Sequence, residues 1–151
     1  MKRFAFALQP VLDVRERHER ERMQLLADAQ MVLARAEERL AALEQERDAE
    51  VLTVRERHTH LELEELQAYY AHLEHVASEI ALQRERVAAA RGQVDAARAE
   101  LIAASTEKKV VERLRERRYE SFRNEERLAE QRQVDDDNAR VESRVRERNN
   151  Q

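Results

Sequence analysis

The fold of this chain is decided by residues 73–111, which read LEHVASEIALQRERVAAARGQVDAARAELIAASTEKKVV. Within them, apolar or small residues recur at alternating intervals of three and four, which is the heptad pattern of a coiled-coil helix. These core positions are Leu73, Val76, Ile80, Gln83, Val87, Ala90, Val94, Ala97, Leu101, Ala104, Lys108 and Val111. A register kept for so long predicts a long helix that packs against a partner helix.

A shorter pattern of the same kind lies upstream, at Leu26, Ala29, Leu33, Ala36, Leu40 and Leu43. Continuing this register past Leu43 would place Arg47, Glu50, Val54 and Arg57 at core positions, so charge would enter the buried stripe and we expect the contact with the partner helix to weaken there. Pro10 suits the first turn of a helix, where its missing N–H costs nothing. We therefore expect the upstream helix to begin next to it.

Composition supports helices and excludes several other classes. The 151 residues include one glycine, one proline and no cysteine, and 40% of them are charged. Sheets, tight hairpins and glycine-rich phosphate loops need turn residues that this chain lacks. The absence of cysteine excludes disulfides, thiolate nucleophiles and thiolate zinc sites. A chain this charged is either a long solvated helix or disordered, and the heptads favour the helix.

Two core patterns in one chain predict an all-α fold, a long antiparallel two-helix coiled coil or helical hairpin. Helix one is expected over about residues 11–56, a short helical elbow over about 57–65 and helix two over about 66–148, within a single coiled-coil domain of residues 1–151. From about residue 115 the chain should extend past the open end of the hairpin as an overhanging C-terminal helix. Two or more chains side by side would use the same pattern, so a homo-oligomeric scaffold stays an alternative to the hairpin, which is expected to be monomeric when free.

Gly92 lies among the alanines of helix two, where a mid-helix glycine costs about 1 kcal/mol relative to alanine. We favour a close approach of the two helices as the explanation of this glycine. The alternative is that the helix tolerates this cost and that the glycine has no structural role.

Charge is unevenly distributed along the chain. Residues 37–79 contain twelve acidic side chains against four arginines, whereas residues 108–123 contain seven basic side chains against three acidic ones. The turn end of the hairpin is therefore expected to be acidic and its open end basic. Nucleic-acid binding is disfavoured because only Tyr119 and Phe122 could stack bases near the basic region. Two explanations of the charge remain, namely solvated helix faces or a protein-docking surface.

The sequence predicts no enzyme, no metal site and no cofactor. His72 and His75 share a helix face but lack a clear third ligand, and a carboxylate that acts as an acid or base needs a cleft. The apolar run at residues 4–8 is too short for a signal peptide, and no run approaches the ~18 apolar residues of a membrane helix. We expect a cytoplasmic protein without direct membrane insertion.

Tyr69 and Tyr70 stand at the start of helix two, between Leu66 and Leu73. Adjacent residues point about 100° apart on a helix, so both rings cannot lie in one core. The four side chains form either an exposed docking ridge or a packed layer under the elbow.

The run FAFALQPVLDVRE, residues 4–16, resembles the opening of the flagellar export protein FliJ family. Further segments agree in order: AEERL at residues 36–40, the aromatic-then-aliphatic start of helix two at residues 69–80, and the basic run at residues 107–118 followed by the aspartates at residues 135–137. The resemblance covers nearly the whole chain.

This resemblance implies a non-enzymatic stalk-like coiled coil of the flagellar type III export apparatus, cytoplasmic and peripherally associated with the inner-membrane export gate. Its implied partners are the hexameric export ATPase FliI, the export-gate protein FlhA and export chaperones. A stalk of a virulence secretion system is the alternative. Carried onto this sequence, the gate-binding residues would be Arg39, Leu43, Leu66, Tyr69, Tyr70, Leu73, Val76 and Ile80. The basic end would bind the ATPase through Lys108, Lys109, Arg113, Arg115, Arg117, Arg118, Tyr119 and Phe122.

Overall fold

A computed structural model describes residues 3–149, which form two long α-helices. Helix α1 spans Gln9–Arg57 and helix α2 spans Leu63–Asn149. The helices pack together and run antiparallel, because Arg22 bonds to Glu100 while Glu44 bonds to Arg84. Residues 3–149 contain no strand. The all-α helical hairpin is therefore confirmed.

The chain reverses direction within residues 58–62. The His60 N–H donates to the Arg57 carbonyl at 2.8 Å, and the Glu62 N–H donates to the Glu65 carboxylate at 3.1 Å. The second bond is half of a capping box, which satisfies a free donor at the start of α2. Over residues 3–149 no residue other than glycine has a positive φ and no peptide bond is cis. The elbow is thus a turn rather than a further helix, and it is built without glycine or proline.

The chain forms two compact units, and the first of them comprises Arg17–Ser105. In this unit the predicted core positions of both helices are buried or half-buried, from Leu26 to Leu43 on α1 and from Leu73 to Ala104 on α2. The buried residues include Leu43, Val76 and Ile80, which form one cluster against Leu40. Burying a side chain of this size contributes about 1.5–3 kcal/mol, so this cluster stabilises the contact between the two helices.

The core of α1 thins past Leu43, as expected, but it continues as far as Val54. Val54 is buried, while Arg47 and Glu50 are half-buried at the intervening core positions. Long charged side chains can lay their apolar stems along a helix contact and keep their heads in water. The Arg47 guanidinium does this and bonds to the exposed carboxylate of Asp48 at 2.9 Å.

Polar side chains also occupy core positions in this unit. Glu19 is buried and accepts a hydrogen bond of 2.5 Å from the Ser105 hydroxyl. The buried Gln83 amide donates to the Ala36 carbonyl across the helix pair at 3.0 Å. A buried polar residue at a heptad core position favours one register over its neighbours, because a slipped register would leave that residue unsatisfied.

Gly92 does not mark a close approach of the helices. It is exposed, and a Cβ added there would meet no heavy atom within 4 Å outside its own helical surroundings. The favoured explanation from the sequence is therefore wrong, and the helix carries the cost of this glycine without a packing gain.

The described part of the second unit comprises residues 3–16 and 106–149. Leu12 is fully buried in it, and the Arg15 guanidinium pairs with the Glu107 carboxylate. The segment Arg3–Leu8 lies along α2, and the two enclose a cavity of about 480 Å³ that reaches Glu125.

The exposed end of α2 is shorter than expected. The N-terminal segment covers α2 as far as Glu125, and every residue from Arg127 to Arg148 is exposed. The overhang therefore begins near residue 127 instead of residue 115, because the residues ahead of α1 extend the contact.

Candidate functional site

The structure divides the eight residues assigned to gate binding into two sets. Leu43, Val76 and Ile80 are at most 3% exposed and form the apolar cluster between the helices. A partner cannot contact these three side chains while the helices remain packed. Their part in gate binding stays a prediction that requires the hairpin to open.

The other five residues are accessible to different degrees. Arg39 is exposed, and Tyr70 keeps 56% of its surface exposed. Leu66, Tyr69 and Leu73 are half-buried along the core side of α2. The two tyrosines therefore lie in different environments, since Tyr69 lines the helix contact and Tyr70 points away from it.

A leucine that the sequence reasoning did not use joins Tyr70 on the outer face. Leu63 is 71% exposed, and it precedes Tyr70 by seven residues, which places both on the same side of α2. Glu64 and Glu74 are exposed beside them in sequence. We call Leu63 and Tyr70 the outer apolar face. Its signal in the sequence was the i,i+7 spacing of two large apolar residues outside the heptad core.

The basic region of α2 is largely open to solvent. Lys109, Arg113, Arg115, Arg117 and Arg118 are all exposed. Lys108 is half-buried, and its ammonium group lies 3.7 Å from the carboxylate of Glu112 one turn further on. The predicted ATPase-binding residues therefore form an accessible cationic surface along one helix.

The two aromatic residues of this region pack against the N-terminal segment. The Phe4 ring meets the Tyr119 ring edge-on, with centroids 5.2 Å apart and an interplanar angle of 74°. The Phe122 ring lies 5.6 Å from Phe4 at 50°. Such edge-on and tilted pairs are worth about 0.5–1.5 kcal/mol beyond area burial. Phe4, Tyr119 and Phe122 form what we call the aromatic cluster.

Sequence reasoning missed the contribution of Phe4 to this cluster. The signal was present, because the predicted hairpin centre near residue 62 puts residue 11 opposite residue 113. Extending the same arithmetic by one heptad puts residue 4 opposite residue 120. The segment ahead of Pro10 carries no heptad pattern, so the sequence did not predict this pairing.

Residues 3–149 hold neither a candidate metal site nor a candidate membrane helix. None of these residues form a group of three or more His, Cys, Asp or Glu side chains arranged to hold a metal ion. Neither described helix has an apolar stretch long enough to cross a membrane.

These features define a coiled-coil hairpin protein whose candidate sites are surfaces along its helices. The family model of the flagellar FliJ protein matches residues 4–147. The chain therefore belongs to the flagellar FliJ protein family, a family of non-catalytic components of flagellar protein export. Comparison with curated proteins and with solved structures gave no match.

Proposed function

We propose that this protein is the stalk of the flagellar type III export apparatus. It would link the FliI ATPase hexamer to the export-gate protein FlhA, interact with export chaperones, and work in the cytoplasm beside the inner-membrane gate. The family match over residues 4–147 carries this proposal. The partners are those implied by the resemblance of the sequence to the family.

Gate binding is assigned to the part of the hairpin near its turn. The outer apolar face offers Leu63 and Tyr70 to a partner, and half-buried Leu66, Tyr69 and Leu73 continue it toward the helix contact. Exposed apolar residues with a charged rim are typical of protein interfaces. This supports a docking role for residues 63–73.

A binding assay with the cytoplasmic part of FlhA tests the gate surface. Tyr70→Ala removes an exposed ring without touching the apolar cluster, so binding should fall at least ten-fold while the unfolding midpoint stays unchanged. Leu82→Ala is the matched control, because Leu82 is half exposed on the same helix outside the assigned region. Unaltered binding after both Tyr70→Ala and the double change Tyr69→Ala with Leu73→Ala would reject this surface.

ATPase binding is assigned to the cationic surface of α2. Seven basic residues within residues 108–123 give it a positive potential, and such a potential speeds association with an acidic partner and weakens with salt. Charge reversal of Arg117 to glutamate should therefore weaken co-purification with FliI most strongly at low ionic strength. Arg132→Glu, an exposed position beyond the cationic surface, serves as the control.

The oligomeric state separates the stalk from a homo-oligomeric scaffold. The intramolecular hairpin already satisfies the heptad cores of both helices in residues 17–105, so the free chain is expected to be a monomer. Light scattering at low concentration measures this directly. A stable dimer or trimer would favour the scaffold.

A further inference from the structure

The segment Arg3–Leu8 has no place in the heptad pattern, yet it packs on the part of α2 that carries the cationic surface. It is joined to α1 by short-range backbone bonds, from the Gln9 N–H to the Phe6 carbonyl and from the Leu12 N–H to the Leu8 carbonyl, both at 3.0 Å. The segment is thereby held at a defined position ahead of Pro10. Its aromatic side chains can therefore contribute to a binding site as well as attach the segment to α2.

Phe4 forms one wall of a shallow cavity of about 250 Å³, which opens to solvent beside the aromatic cluster. The remaining lining residues are Arg115, Glu116 and Tyr119. Two aromatic rings give the cavity an apolar interior, while one cation and one anion stand at its rim. An open apolar cavity with a few polar groups at its edge is the usual form of an anchor-residue pocket.

The surroundings define the chemistry of the occupant. Arg115 and Arg118 are both exposed and belong to a region with seven basic residues against three acidic ones. An arginine fork pairs with a carboxylate through two parallel hydrogen bonds. Glu116 repels a carboxylate on its own side of the rim, so an acidic partner can approach only with its charge toward Arg115.

We infer that Phe4 completes a pocket for an aliphatic side chain that stands next to a carboxylate on the export ATPase, an inference that rests on the proposed function. The aliphatic group packs into the cavity against the Phe4 and Tyr119 rings, and the carboxylate pairs with Arg115. Phe4, alone of the two phenylalanines in the N-terminal segment, is therefore part of the ATPase-binding surface. The cationic surface of α2 supplies one side of the ATPase-binding surface, and Phe4 supplies another.

Paired substitutions within the N-terminal segment test this role. Phe4→Leu keeps an apolar side chain against α2 but removes the ring wall, and binding of the full chain to FliI hexamers should weaken about ten-fold. Phe6→Leu makes the same chemical change two residues away, where the side chain lines the other cavity, and should leave affinity within two-fold. Circular dichroism and the unfolding midpoint of each variant establish that both remain folded.

The carboxylate contact is tested separately with Arg115→Gln. Loss of this pair should weaken FliI binding about ten-fold at low salt and less at high salt, whereas Arg132→Gln should change it little. If Arg115→Gln and Arg132→Gln weaken binding equally, the rim contact is overturned and only the general charge of the surface contributes.

The outcomes separate the pocket from the proposed function. If the unaltered chain binds FliI and Phe4→Leu binds as well as Phe6→Leu, the pocket is overturned while the stalk proposal stands. If the unaltered chain fails to bind FliI at all, the proposed function fails and the pocket fails with it. If a single-stranded oligonucleotide binds the chain and Phe4→Leu abolishes that binding, the surface is a nucleic-acid site and the inference is overturned.

Discussion

Gly92 lies in the interior of α2, and its surroundings make Gly92→Ala a stabilising substitution. A glycine in a helix interior is about 0.8–1.0 kcal/mol less favourable than an alanine, because glycine loses more backbone freedom on folding. The added Cβ would meet no heavy atom within 4 Å, so no overpacking cost has to be subtracted. Nor does the methyl group gain burial at this exposed position. The free energy of unfolding should therefore rise by about 0.9 kcal/mol.

Urea unfolding followed by far-UV circular dichroism measures this change. With an m-value of about 2 kcal/mol/M, the midpoint should move up by about 0.4–0.5 M, and m itself should not change. The thermal midpoint should rise by about 2–4 °C for a chain of this size.

Ala96→Gly is the matched control for Gly92→Ala. Ala96 is exposed on the same helix one turn further on, so its replacement should destabilise the chain by a similar amount. If Ala96→Gly has this cost while Gly92→Ala is neutral or destabilising, the expected gain is contradicted. That result would mean that Gly92 is required for a close contact, as the sequence pattern first suggested.

Three further substitutions or truncations test the packing. Leu43→Ala should lower the free energy of unfolding by about 2–5 kcal/mol, because this side chain is only 2% exposed. Leu82 is half exposed, so Leu82→Ala should lower it by less than about 1 kcal/mol. Equal losses in urea unfolding would contradict the assigned core. Ser105→Ala should cost about 1–2 kcal/mol, because it removes the hydroxyl donor to the buried Glu19 carboxylate; a neutral result would show that this bond contributes nothing. Deleting the chain beyond Glu126 should lower the ellipticity but leave the unfolding midpoint in place, since Arg127–Arg148 are all exposed. A lower midpoint would reveal a contact there.

The candidate site residues could be proposed from the sequence, but which of them are buried and which are exposed could not be predicted from it. The resemblance predicted a gate surface at Arg39, Leu43 and six residues between Leu66 and Ile80, and the heptads assigned Val76 and Ile80 to the helix contact. Both assignments concern the same side chains, and only the packed hairpin places Val76 and Ile80 inside it while Tyr70 stays outside. Burial depends on the partner helix, which a local pattern does not include.

The charged positions between Leu43 and Val54 on α1 show a related limit of the sequence. Arg47 and Glu50 read as breaks in the heptad pattern, since a charge at a core position is costly when its head is buried. In the structure their side chains are half-buried and the core continues to Val54. Whether a long charged side chain breaks a helix contact or lies along it depends on access of its head to water, which the residue type does not determine.

Heptad spacing and the near absence of glycine and proline were enough to predict two long helices in an all-α fold, and they favoured a hairpin over an assembly of several chains. The features that lie beyond the heptads became visible only in the folded hairpin: the packing of Phe4 on Tyr119 and Phe122, the open space around Gly92, and the point at which α2 loses its cover. These features depend on which residues meet across the hairpin, and a contact between residues more than a hundred positions apart leaves no periodic signal in either segment.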